Sequence, residues 1–262
     1  MESVSENSKD TIVELKEVYK TFGKNKVLRG LTCAIPKGQI SFIIGRSGEG
    51  KSVTLKHIVG VLKPDSGTVS LFGEVMPMEE TPVWRKTRRR LGLLFQDGAL
   101  FDSLSVFENV AFTLREIPGY GGKKMEERVE YLLELVGLPG SSHRMPPELS
   151  IGEKKRVGLA RALAQDPEII MYDEPTTGMD PFVSDLVDSL IVNLQAKLPH
   201  LTSIVISHDV GSILKVAQQI YLLHEGILYK KGTPEEFKNS KDPLIEQFLS
   251  GSVEGPLANP IV

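Results

Sequence analysis

The octapeptide "GRSGEGKS" at residues 45–52 constrains this chain more than any other segment. It satisfies G-x-x-x-x-G-K-[ST] in full. It sits between "QISFIIG" (39–45), a nearly continuous apolar run, and a stretch from Lys51 to Val61 with helical spacing. The run reads as a strand buried on both faces, which places it in a largely parallel sheet. A strand, a glycine-rich loop and a helix in this order form a phosphate cradle. Gly45, Gly48 and Gly50 let the chain wrap an anion with its amide hydrogens turned inward, and Arg46, Ser47 and Glu49 fill the remaining loop positions. Lys51 is placed to reach the β- and γ-phosphates of a nucleotide, and the Ser52 hydroxyl to ligate Mg²⁺.

The rest of the chain supplies the sheet that such a loop needs. "TIVELKEVYKTF" and "KVLRGLTCAI" are strand-like and rich in β-branched residues, broken at "GKN" and at Pro36-Lys37-Gly38. "GTVSLFG" and "RLGLLFQ" read as two more strands. From about 105 to 165 the texture changes to amphipathic helical spacing in "VFENVAFTLRE", "KMEERVEYLLELVG" and "GEKKRVGLARALAQ". Strand and helix then alternate through "EIIMYDE", "PFVSDLVDSLIVNLQAKL", "TSIVISH", "DVGSILKVA" and "QIYLLHEG". The expected fold class is α/β, with a mostly parallel sheet core and an inserted helical subdomain at about 97–165. Residues 1–11 are expected to be a disordered tail. The stretch after Phe248, "LSGSVEGPLANPIV", is rich in Gly and Pro and is expected to lack regular structure.

Composition narrows the function classes. The net charge of −3 gives no global pull toward nucleic acid. Cys33 is the single cysteine, which rules out an internal disulfide and fits a reducing compartment. The polar start "MESVSENSKD" has no apolar core of a secretory signal, and no run approaches the roughly 20 apolar residues of a membrane helix.

A second cluster of strand ends carries the expected chemistry. "EIIMYDEP" (168–175) is a buried strand closing on two carboxylates, and ligands of parallel sheets bind at the carboxyl ends of strands. Asp173 is assigned to Mg²⁺, through water. Glu174 is assigned as the general base that orients and polarises an attacking water. Gln96 closes "RLGLLFQ" and reaches toward the metal and the water. His208 closes "SIVISH" and holds the γ-phosphate and the base in register. His57, His143, His200 and His224 read as structural.

The segment "LSIGEKKR" (149–156) reads locally as a helix start, with Ser150 as cap and Glu153 completing a capping box. An exposed helix N-terminus with a serine and a glycine also suits a phosphate. The run "KKR" and the basic run "WRKTRRR" (84–90) are expected to be solvated faces.

Taken in order, "GRSGEGKS", Gln96, "LSIGEKKR", "IIMYDEP", "TTGMDP" and His208 resemble the ATP-binding-cassette (ABC) ATPase family from about residue 12 to 250. The resemblance implies a cassette with an N-terminal antiparallel β subdomain and the inserted helical subdomain. It implies ATP and Mg²⁺ as cofactors and head-to-tail pairing with a second ATPase copy. Each ATP then lies between the P-loop of one copy and the "LSIGEKKR" helix of the other, with Ser150, Gly152 and the D-loop residue Asp180 acting in trans. Phe22 resembles the aromatic that stacks on adenine, with Tyr19 as the alternative. Ile151 stands where the family usually has glycine; its branched Cβ hinders close approach, so it is expected to lower turnover or widen the dimer seam. Glu153 replaces the usual glutamine and adds a charge that Lys154, Lys155 and Arg156 are expected to offset.

The resemblance also implies an integral-membrane permease as partner, with the apolar segment after Gln96 receiving its coupling helix. The chain would then be peripheral, on the cytoplasmic face of the inner membrane. "LLFQDGALFDSLSVFENVAFTLRE" and "QFLSGSVEGP" are similar to the ATPase subunit of Mla-type transporters. Those transporters move phospholipids with an MCE-domain protein and sometimes a STAS-domain protein, and their ATPase tail packs on the opposite copy. The competing expectations are the ATPase of an amino-acid or other polar-solute importer, a soluble ABC mechanoenzyme, and a nucleotide-binding regulator.

Overall fold

The computed structural model describes residues 10–96, 98–252 and 254–256. Strands β1 (Thr11–Phe22) and β2 (Asn25–Pro36) form a long antiparallel hairpin, and strand β3 (Ile40–Ile44) leads into helix α1 (Lys51–Ile58). Strands β4 (Ser66–Leu71) and β5 (Glu74–Val75), helix α2 (Pro82–Arg88) and strand β6 (Leu91–Leu94) follow. Helices α3 (Val106–Ala111), α4 (Gly122–Leu135) and α5 (Ile151–Ala162) then precede strand β7 (Ile169–Asp173), helix α6 (Pro181–Lys197) and strand β8 (Thr202–Ile206). Helix α7 (Val210–Val216), strands β9 (Gln219–His224) and β10 (Ile227–Gly232), and helices α8 (Pro234–Lys238) and α9 (Pro243–Ser250) complete the order.

Two sheets result. One is antiparallel, in the order β2-β1-β4-β5, and the other runs β10-β9-β3-β8-β7-β6. In the second sheet the pairs β9/β3, β3/β8, β8/β7 and β7/β6 are parallel and β10 is antiparallel to β9. Alternation along the buried strands divides the core between the faces. Phe42, Ile44, Ile170 and Tyr172 pack with the helices of residues 106–164. Ile43, Ile169, Met171 and Tyr221 pack against β1, β2 and α1. Each such fully buried side chain contributes about 1.5–3 kcal/mol of transfer free energy. The α/β class, the antiparallel N-terminal sheet and the helical insert therefore match the expectation.

Several details differ. Strand β1 already begins at Thr11, the Asp10 carbonyl accepts the Lys37 amide at 2.7 Å, and residues 1–9 of the expected N-terminal tail lie outside the described residues. Strand β6 stops at Leu94, two residues short of Gln96. At the C-terminus, α9 extends to Ser250, and the Gln247 side chain donates to the Ser252 carbonyl at 3.0 Å, so order continues past Phe248; residues 257–262 lie outside the described residues. The basic run at 84–90 is solvated at Arg85, Lys86 and Arg89 and anchored at its other positions. Trp84 is buried and donates to the Pro77 carbonyl, Arg88 bonds Glu80 and the Val59 carbonyl, and Arg90 bonds Glu168.

Candidate nucleotide site

The P-loop joins β3 to α1 with three glycines at positive φ: Gly45 at 148°, Gly48 at 89° and Gly50 at 94°. At Gly45 a Cβ would stand 2.6 Å from the Leu223 carbonyl oxygen, and at Gly50 2.6 Å from Leu28 Cδ2. Side chains are excluded there by conformation and by space. Lys51 opens α1 and curls back, its Nζ donating to the carbonyls of Gly45 (2.8 Å) and Arg46 (3.0 Å). Burial lowers its pKa, while Glu174, Glu49 and Asp173 pull the other way.

Above the loop lies a cavity of about 790 Å³. Its P-loop wall is formed by Gly45, Arg46, Ser47, Gly48, Gly50, Lys51 and Ser52, and its far wall by Gln96, Glu174 and His208. Phe22 lines it from the end of β1, whereas the Tyr19 hydroxyl lies against Gly30; of the two candidate stackers, Phe22 is the one at the cavity. Glu49 turns away. Its carboxylate accepts the backbone N–H of Glu225 and lies 3.3 Å from His224 Nδ1, so it ties the P-loop to the β9–β10 turn.

Strand β7 delivers the two acids differently. Asp173 ends the strand, with Oδ1 3.4 Å from Ser52 Oγ. Burial and the neighbouring Glu174 raise its pKa, and Ser52, Lys56 and Lys51 oppose the shift. A divalent cation beside Ser52 and Asp173 would relieve that strain, so the donor set fits Mg²⁺. Among the described residues no group of three His, Cys, Asp or Glu side chains could hold a metal alone. That is the usual condition for magnesium, which takes one or two carboxylates plus substrate phosphates and water. Glu174 follows in a left-handed conformation, φ 52°, with its N–H donated to the Ile206 carbonyl. A non-glycine residue held this way costs about 1–3 kcal/mol and is typical of functional sites. Its Oε2 is 2.7 Å from His208 Nδ1 and accepts the Thr177 hydroxyl at 3.0 Å.

The residues expected to act in trans lie apart from this cavity. Ser150 caps α5, with a complete capping box to Glu153. Gly152 packs against the start of α6, where a Cβ would lie 3.0 Å from Val183 Cγ1. Asp180 caps α6 by accepting the amides of Phe182 and Val183. Ile151 is 63% exposed. The offset for Glu153 comes from Arg144, at 2.7 Å, and Arg144 with the Ser150 amide and hydroxyl holds its carboxyl down at about 2. The expected offset from "KKR" is corrected accordingly. Arg156 reaches the Gly137 carbonyl, and Lys155 is buried, donating to the carbonyls of Pro175 and Thr177.

Sequence reasoning missed six residues. Asn25, Val27, Val53, Thr177 and Phe248 also line the cavity, and Lys155 clamps the turn after Glu174. The last three are brought there by tertiary packing that no local pattern announces.

A profile of the family described as ABC transporter matches residues 28–177, more than half of the chain.

The chain belongs to the ABC transporter family.

This cassette is 39% identical over 246 residues to the intermembrane phospholipid transport system ATP-binding protein MlaF of Haemophilus influenzae, covering 94% of this chain and 93% of that protein. It is 39% identical over 271 residues to protein TRIGALACTOSYLDIACYLGLYCEROL 3, chloroplastic, of Arabidopsis thaliana (96% and 77% covered). It is 36% identical over 245 residues to a probable ribonucleotide transport ATP-binding protein, mkl, of Mycobacterium tuberculosis (94% and 68% covered). Among solved structures, cbiO1 from Clostridium perfringens superposes with a TM-score of 0.82 at 27% identity, covering 92% of this chain and 96% of that one. The dimeric ATP-binding cassette MJ0796 bound to ADP and Pi gives 0.76 at 28% identity, covering 85% and 99%. The cassette is the ATP-binding subunit of an ABC transporter.

Proposed function

We propose that the cassette hydrolyses Mg-ATP at a seam between two copies and thereby drives a separate membrane permease that moves phospholipid. The observation that carries the hydrolytic part is the convergence of Lys51, Ser52, Gln96, Glu174 and His208 on one cavity above the P-loop. ATP would lie with its adenine toward Phe22 and its phosphates in the cradle of residues 45–52. When bound, Mg²⁺ would be held by Ser52, with Asp173 through water and Gln96 alongside, and would neutralise phosphate charge. Lys51 would exchange its two loop carbonyls for phosphate oxygens. Glu174 would accept a proton from the attacking water, and His208 would fix that carboxylate and contact the γ-phosphate. The opposite copy would complete the site with Ser150 and Gly152 at the start of α5, while Asp180 links the two sites. Replacing Glu174 by Gln and measuring phosphate release tests the assignment. Turnover should fall by about 10²–10⁴ with ATP still bound; unchanged turnover would remove Glu174 from the role.

The membrane part rests on two observations. Among the described residues no helix is long and apolar enough to cross a bilayer. Beside β6 a groove of about 500 Å³ presents Phe95, Phe101 and Phe112 beside Arg161. Exposed aromatics grouped in a groove mark an interaction surface. We assign it to the permease's coupling helix, and on that reading the cassette would sit peripherally on the cytoplasmic face of the inner membrane. Residues 12–250 form the working unit. Phospholipid cargo is supported by the likeness to the MlaF proteins, which are named for intermembrane phospholipid transport; an MCE-domain partner and a STAS-domain partner are what the sequence resemblance to Mla-type transporters implies. The mycobacterial relatives' name favours ribonucleotides as a second reading. Purification of the detergent-solubilised complex with identification of its subunits and bound lipid separates the two.

A further inference from the structure

We propose that Lys155 and Thr177 are positioning residues that set the orientation of the Glu174 carboxylate from helix α5. The proposal rests on the reading of Glu174 as the base.

Lys155 lies in the first half of α5 and is only 3% exposed. A lysine this deep needs its ammonium satisfied by hydrogen bonds. Its Nζ donates to the Pro175 carbonyl at 2.7 Å and to the Thr177 carbonyl at 3.1 Å, so it clamps the turn that follows Glu174 at two points. Thr177 returns the connection. Its amide donates to the Glu174 carbonyl at 3.3 Å and its hydroxyl to Glu174 Oε2 at 3.0 Å, the same oxygen that faces His208. The result is a serial chain: ammonium, Thr177 carbonyl, Thr177 hydroxyl, base.

The helix at the head of that chain is itself fixed. Arg161, farther along α5, donates to the carbonyls of Gly98 and Ala99 just after Gln96. Gly158 approaches so closely that a Cβ there would lie 2.9 Å from the Gly98 carbonyl oxygen. The Glu174 backbone is in a left-handed conformation that the strand alone would not impose, and the clamp provides the outside constraint such a conformation requires. The N-terminus of the same helix carries Ser150 and Gly152. Any shift of that helix as the opposite nucleotide is engaged would therefore move Thr177, and with it the base. Lys155 acts through Thr177, and Thr177, on the cavity wall, acts through the Glu174 oxygen to which its hydroxyl donates.

The test measures steady-state ATP hydrolysis and ATP affinity of the full-length chain, purified with whatever membrane subunits accompany it. Thr177→Val is expected to lower kcat about tenfold with KM changed less than about twofold, since misplacing a catalytic group costs up to about 10² in rate. Thr177→Ser should restore kcat. Lys155→Met keeps the stem and removes the donors; it should lower kcat to a similar extent, and the double variant should be no slower than the slower single. If Lys155→Met does not fold, the Thr177 pair still decides. Wild-type kcat for Thr177→Val, no rescue by Ser, or losses that multiply in the double variant would overturn the proposal. Glu174→Gln is run beside them. If it retains turnover, the base assignment fails and the proposal falls with it. If it is inactive while Thr177→Val is normal, the proposal alone is wrong.

Discussion

His208 Nδ1 stands 2.7 Å from Glu174 Oε2, although the two residues follow different strands, β8 and β7. The pairing follows from the sheet. Asp173 is in register with Ile206, so the residues just beyond both strands emerge side by side. A histidine at that place can hold the carboxylate and still present its ring to the cavity. His208→Ala should lower kcat by about 10²-fold while the affinity for ATP changes little, read by phosphate release and by equilibrium binding. A variant with full turnover would remove His208 from the mechanism.

The P-loop glycines should be intolerant. Gly45→Ala places a methyl 2.6 Å from the Leu223 carbonyl at a φ of 148°, a conformation open only to glycine. We expect loss of about 2 kcal/mol of stability and at least a tenfold weaker ATP affinity. Thermal unfolding and nucleotide titration check both.

Glu153 gives a pH signature. Its folded carboxyl titrates near 2 because Arg144 and the Ser150 amide and hydroxyl favour the ionised form, against an ordinary value of 4.5 in the unfolded chain. A depressed folded value stabilises above the unfolded one and loses its effect as pH falls toward the folded one. Arg144→Met should therefore lower the melting temperature by about 2–4 °C at pH 7, for roughly 1 kcal/mol at this partly exposed pair. The gap should narrow as the pH drops from 4.5 toward 2. A gap independent of pH would show that Arg144 acts by packing alone.

Ile151 sits at the exposed start of α5, where on the proposed pairing its branched side chain would hold the seam wider. Ile151→Gly should raise ATP turnover, with a stability cost of about 1 kcal/mol or less for glycine in a first turn. Unchanged or slower turnover would show that the isoleucine is accommodated without penalty.

The site was legible in the sequence wherever chemistry is carried by local order. "GRSGEGKS" after an apolar strand, and acids or His208 at strand ends, follow from the way a parallel sheet presents its carboxyl edge. The limits are equally physical. Glu49 belongs to the motif, yet its carboxylate serves the β9–β10 turn, because a loop position says nothing of which way a side chain finds a donor. "KKR" read as a solvated face, and Lys155 instead lies inside, because two carbonyls far along the chain supply acceptors that no helical period encodes. Phe248 reached the cavity through α9, whose start is set by the Asp242 cap and Pro243 and whose placement beside the P-loop is a matter of tertiary packing.

The central claim is that nucleotide closes two copies of this chain upon each other. Light scattering of the Glu174→Gln chain, with Mg-ATP, with Mg-ADP and without nucleotide, measures that closure directly. The account predicts a dimer with Mg-ATP and its loss with Mg-ADP or on adding Ser150→Phe to block the seam. A species whose mass is the same in all three conditions would contradict it.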